Sequence, residues 1–99
     1  MTHYRDRAKT YHNLIKKVLL HEWDPIGVSD IPEAQDEYDS YVGGVYKRLI
    51  SRTKENDLFE YLWNIETDHM GLTGDRQHTM NITKKLLDLV NEIENKKNI

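Results

Sequence analysis

Apolar residues recur at three- and four-residue steps in four segments of the chain, and that period predicts four α-helices. The first runs from about Thr2 to Glu22, with Tyr4, Ala8, Tyr11, Ile15, Val18 and Leu19 on one face. Asp24-Pro25-Ile26-Gly27 then fits a type I β-turn, with Asp first, Pro second and Gly fourth. Pro25 also drives Asp24 out of helical geometry. The second helix is expected to start near Asp30 to Pro32. Asp30 suits the N-cap, Pro32 sits where its missing N–H is no loss, and Glu33 meets the positive end of the helix dipole. Its stripe is Tyr38, Tyr41, Val42, Val45, Leu49 and Ile50. Gly43-Gly44 interrupts it, at roughly 1 kcal/mol per glycine in a helix interior. Either the helix breaks there or a neighbouring backbone or ring packs close; the reading taken here is a continuous helix with close packing.

The third helix is expected from about Asn56, as N-cap, to Met70, with Leu58, Phe59, Leu62, Ile65 and Met70 inward and Tyr61 and Trp63 flanking. Gly71-Leu72 reads as its C-terminal cap, Gly taking the left-handed position and Leu72 folding back. Thr73-Gly74-Asp75 is the next turn. The fourth helix is expected from about Asp75 to Asn95, with Met80, Ile82, Leu86, Leu89, Val90 and Ile93 inward, Leu87 flanking, and Lys96 and Lys97 at its negative end. No strand pattern or repeat competes. The pattern predicts an all-α fold, a small four-helix up-and-down bundle in a single helical domain spanning residues 1–99.

Composition agrees with that size. At 99 residues, with 37% hydrophobic and 31% charged positions, the chain can bury one modest core. It has no cysteine, which removes disulfides and thiolate metal sites. The polar, basic start from Met1 to Thr10 gives no expectation of a secretion signal, and no run approaches the ~20 apolar residues of a membrane helix. A cytoplasmic setting is therefore expected. The net charge of −3 hides an asymmetry. Residues 1–20 carry Arg5, Arg7, Lys9, Lys16 and Lys17 against Asp6. From His21 to Tyr46 there is no Lys or Arg, only Glu22, Asp24, Asp30, Glu33, Asp36, Glu37 and Asp39. Glu55, Asp57, Glu60, Glu66 and Asp68 form a second acidic group. Such surfaces repel phosphate backbones and attract basic proteins, so no nucleic-acid partner is expected. An ordinary solvated face is the other reading.

Catalytic signatures are missing. There is no G-x-S-x-G, and Gly43-Gly44 lacks the Lys-Ser/Thr that a phosphate loop requires. The groups His21/Glu22/Asp24, Asp36/Glu37/Asp39 and Asp68/His69 hold metal-ligand residue types, but no H-E-x-x-H or EF-hand spacing joins them. The expectation is a protein without metal or cofactor, and not an enzyme. Tyr38 and Tyr41 interleave with Asp36, Glu37 and Asp39, a mixture suited to protein interfaces; core tyrosines with hydroxyls at the rim are the alternative, preferred for Tyr38. Trp23 is expected to anchor the end of the first helix against the second.

The run His21-Glu22-Trp23-Asp24-Pro25-Ile26-Gly27-Val28, followed by Asp36-Glu37-Tyr38-Asp39, resembles a family of small bacterial all-helical proteins with a Trp-Asp-Pro-Ile-Gly and Asp-Glu-Tyr signature. Ile65-Glu66 and Met70-Gly71-Leu72 are similar as well. That family includes proteins like the immunity proteins of contact-dependent growth inhibition. The resemblance implies a helical fold, with Trp23, Asp24, Pro25, Gly27 and Tyr38 as a structural signature.

Together these observations give the expectation of an immunity protein that binds and neutralises a cognate toxin domain, a basic nuclease, by covering its active site or substrate groove. Asp30, Glu33, Asp36, Glu37, Asp39, Tyr41, Glu60 and Asp68 are the expected contacts. A helical adaptor without a toxin is the alternative, and a metal-dependent hydrolase using the His/Asp/Glu groups is a further one.

Overall fold

The computed structural model describes residues 2–97, and the side chains of residues 8–92. Among the described residues the fold is all-α, with four α-helices and no strand: α1 (Thr2–Val18), α2 (Asp39–Ile50), α3 (Glu55–Asn64) and α4 (Arg76–Lys97). The chain divides into two compact units, Met1–Lys47 and Arg48–Ile99. The expected roles of Tyr4, Ile93, Lys96 and Lys97 fall on side chains outside the described residues.

In the first unit, Tyr11, Ile15, Val18 and Leu19 of the expected stripe are buried, and so is Leu20. Val18, Leu19 and Leu20 are consecutive, which a regular helix would fan over a wide arc. The chain answers by widening: Leu19–Trp23 form a π-helical turn, closed by the Asp24 N–H on the Leu19 carbonyl at 2.9 Å. Each residue in such a turn advances by a smaller angle, which keeps Leu19, Leu20 and Trp23 all buried. Tyr11 of α1 meets Tyr46 of α2, ring centroids 5.7 Å apart.

The second helix starts later than its pattern predicted. Residues 30–38 are not α-helical: Pro32–Ala34 form one 3₁₀ turn, entered from extended Ile31, and α2 begins at Asp39. Successive i to i+3 bonds carry the backbone instead, from Ile31 N–H to Val28, Ala34 to Ile31, Glu37 to Ala34, and Asp39 to Asp36. Asp30 caps nothing there. Ile31 is exposed and Ala34 only half-buried, and full burial sets in only at Tyr38, so no packed face selects the α form. α2 does run unbroken through Gly43-Gly44. Close packing is not the reason at Gly43, where an added Cβ would meet nothing within 4 Å. Ile50, expected on the stripe, is 52% exposed at the helix end.

In the second unit, α2 ends with Arg52 in the left-handed region at φ 56°. Thr53 N–H reaches back to Arg48 and Arg52 N–H to Leu49, the two bonds of a Schellman closure. α3 is entered from Lys54, whose carbonyl accepts from the Asp57 and Leu58 N–H groups; Asn56 lies inside the first turn and is not the cap. Leu58, Phe59, Leu62 and Ile65 are buried as expected, with Tyr61, Trp63 and Met70 half-buried. A second π-helical turn, Ile65–His69, extends α3. Gly71 then takes φ 70°, and Leu72 N–H bonds the Glu66 carbonyl at 3.0 Å. Asp75 caps α4, its carboxylate accepting from His78 N–H at 3.0 Å. α4 packs on α3 and buries Ile82 and Leu86 together with Thr79 and Thr83, two polar positions absent from its expected stripe.

Candidate functional site

The connection from residue 24 to residue 38 joins α1 to α2 and carries four of the eight expected contact residues, Asp30, Glu33, Asp36 and Glu37. Its frame begins with Trp23, which is buried, its ring 5.5 Å from Tyr38 and 6.4 Å from Tyr41 of α2. The Trp thus holds the end of the first helix against the second. Asp24 sits at φ 32°, in the left-handed region that Asp tolerates better than most residues. From there its carboxylate accepts from Val28 N–H at 2.8 Å, Ser29 N–H at 3.2 Å and the Tyr38 hydroxyl at 2.7 Å. The Tyr38 oxygen in turn accepts the Ile26 N–H at 3.2 Å. Gly27, at φ 70°, completes the turn predicted over residues 24–27, its N–H on the Asp24 carbonyl at 3.2 Å.

These bonds set the ionisation of both groups. Burial raises the Asp24 carboxyl, but the Val28 N–H, the Tyr38 hydroxyl and Ser29 outweigh it and hold the group below its ordinary value of 3.8. Burial first, and then the bond to the Asp24 carboxylate, push the Tyr38 phenol well above its ordinary value of 10.0, with the Ile26 N–H opposing. At neutral pH the pair is a phenol donating to a carboxylate. The signature residues Trp23, Asp24, Pro25, Gly27 and Tyr38 are therefore brought together.

Further out, the Gln35 amide donates to the Ser29 carbonyl at 3.0 Å and the Ile31 carbonyl at 2.9 Å. On this frame Asp30, Glu33, Asp36, Glu37 and Asp39 are exposed. Asp39 is offset by Lys16 of α1, Nζ to Oδ2 3.3 Å, in a pair almost half open to solvent. Tyr41 is half-buried against Trp23 rather than presented to solvent.

In the second unit Glu60 and Asp68 are exposed, as are Glu55 and Asp57. Glu66, read from sequence as part of that acidic surface, is instead 4% exposed. Its carboxylate accepts the Thr79 hydroxyl at 2.6 Å and the Asp75 N–H at 2.9 Å, so it ties the end of α3 to the start of α4. Gly74 passes beneath it: an added Cβ would stand 2.8 Å from the Trp63 ring and 2.9 Å from Glu66 Oε2. The sequence carries one signal for this, Thr79 and Thr83 at helical spacing within the apolar stripe of α4: Thr83 is satisfied by the Thr79 carbonyl at 2.8 Å, and the Thr79 hydroxyl takes Glu66.

Among the described residues, no three His, Asp or Glu side chains converge to hold a metal ion. No helix among them is long and apolar enough to cross a membrane. Compared with protein-family models, curated proteins and solved structures, the chain finds no significant match.

Proposed function

We propose that this chain is an immunity protein, which binds a cognate bacterial toxin domain in the cytoplasm and covers its active site or substrate groove. The observation that carries the reading is the set of exposed carboxylates Asp30, Glu33, Asp36 and Glu37 on a hydrogen-bonded connection, in a stretch from His21 to Tyr46 without Lys or Arg. A nuclease domain must be basic to hold its phosphate substrate, and an acidic surface competes for the same charges. The resemblance of the Trp23–Val28 and Asp36–Asp39 runs to immunity-like proteins supports the same assignment. Glu60 and Asp68 extend the set of candidate contacts in the second unit, and Asp39 and Tyr41 lie beside the first.

The test is co-expression with a catalytically disabled toxin domain encoded beside this gene, followed by binding kinetics across a salt series. A stoichiometric complex is expected, with association slowed at high salt. Reversing Asp30, Glu33, Asp36 and Glu37 to Lys should weaken it by at least about a hundredfold, since several charge contacts of ~1 kcal/mol each are inverted. Intact binding by the reversed chain sinks the reading. Recovery of the chain alone, from cells expressing the neighbouring genes, points to a helical adaptor.

A further inference from the structure

The connection between α1 and α2 closes on itself. The 2.7 Å bond from the Tyr38 hydroxyl to the Asp24 carboxylate joins its two ends. Surface loops with joined ends are a recurrent seat of function, and connections of roughly fifteen residues are uncommon in small domains without one. The order in this loop comes from polar groups: Asp24, Tyr38 and Gln35 bond its backbone at Ile26, Val28, Ser29 and Ile31. Its two isoleucine side chains are left outward, Ile26 38% and Ile31 45% exposed. Among the described residues these are two of three large exposed aliphatic side chains, and both lie in this one loop.

A loop held by polar bonds loses little further freedom when a partner covers it. Isoleucine is stiff at χ1, so little side-chain entropy is lost as well. The same loop carries Asp30, Glu33, Asp36 and Glu37, all exposed, and no basic residue. Exposed aliphatic side chains and charged groups on one ordered loop are the ingredients of a protein interface, and the sign of the charge selects a cationic occupant.

We infer that this loop is the docking surface for a cationic protein segment bearing aliphatic side chains, with Ile26 and Ile31 as anchors and the four carboxylates as the steering charges. The inference deepens the toxin reading and rests on it only in taking the partner to be a protein. The carboxylates govern the association rate and its salt dependence; the isoleucines govern dissociation.

The test uses the isotope-labelled full chain and two synthetic peptides of equal positive charge, an oligolysine and one in which lysines alternate with leucines. Amide shifts are followed by NMR. The lysine-leucine peptide is expected to move the amides of residues 26–37 and to bind at least about tenfold tighter than oligolysine. An Ile26→Ser, Ile31→Ser double variant should erase that tenfold difference while its helix amides and Tm stay unchanged, because both side chains are outside the core. Equal binding by the two peptides, shifts outside the loop, or an unaffected double variant would overturn the assignment. Concentration-dependent shifts of the same amides without peptide would overturn it too, in favour of a second copy of the chain. The two readings fail separately. A toxin complex untouched by the double variant keeps the immunity reading and removes this one; the expected peptide result without any toxin complex does the reverse.

Discussion

Asp24 and Glu66 do the same work, each within its own unit. Each carboxylate stands at a π-helical turn and bonds the backbone of the segment that follows, Val28 and Ser29 for Asp24, Asp75 for Glu66. Each also accepts a hydroxyl, from Tyr38 or Thr79. Glu66→Leu keeps the volume but leaves the Asp75 N–H and the Thr79 hydroxyl without that acceptor, and is expected to destabilise by about 2–4 kcal/mol. Urea unfolding of the variant measures this. Asp24 makes a pH-dependent contribution whose sign follows from its lowered pKa. The folded chain binds that proton less readily than the unfolded chain does. The stabilisation is therefore present above the ordinary value of 3.8 and disappears as pH falls through the lower folded value. The stability gap between the wild type and Asp24→Asn should be widest at neutral pH and close below that range, as read from urea melts at a series of pH values.

At the scale of elements, the glycines separate two kinds of position that look alike in sequence. Gly43 lies inside α2 with open space around its Cβ direction. Gly43→Ala should raise stability by about 1 kcal/mol, through helix propensity alone. Gly74 lies in the link before α4 at φ 82° beneath the Trp63 ring. Gly74→Ala should cost at least about 2 kcal/mol, from the left-handed backbone and the collision with Trp63 and Glu66. Thermal melts of the two variants should move in opposite directions. The connection 24–38 makes a further element-scale claim. Removing the Gln35 amide, which bonds Ser29 and Ile31, should speed hydrogen exchange at Ala34 and Glu37 and leave the amides of α1 unchanged. Uniform protection across the loop in Gln35→Ala would show that its order comes from elsewhere.

For the whole chain, the four-helix pattern, much of the inward faces of α1 and α3, Ile82 and Leu86 of α4, and the Gly71 cap were legible in sequence, because each rests on local spacing or on one residue's backbone preference; the N-caps expected at Asp30 and Asn56 were not found. The second helix starts later than its sequence suggests, since a good N-cap and an early proline are permissive signals and the face behind them, Ile31 and Ala34, is not buried. The signature around Trp23 and Asp24 could be read as a turn. That Asp24 also reaches Tyr38 depends on a bond across 14 positions of chain. The acidic surface was legible as charge, but its membership was not. Glu66 is removed from it by a threonine 13 residues away, Asp39 is partly neutralised by Lys16 from 23 residues before it, and Tyr41 is turned toward Trp23. What the sequence by itself determined was therefore whatever follows from neighbours within a helical turn: helix existence, the glycine turns and the sign of the charge. Only the tertiary structure decided which polar groups are buried with partners, which isoleucines stay outside, and which carboxylates remain to meet another molecule. Those outcomes depend on the geometry that brings distant residues within hydrogen-bond reach, and no periodicity in the chain encodes it.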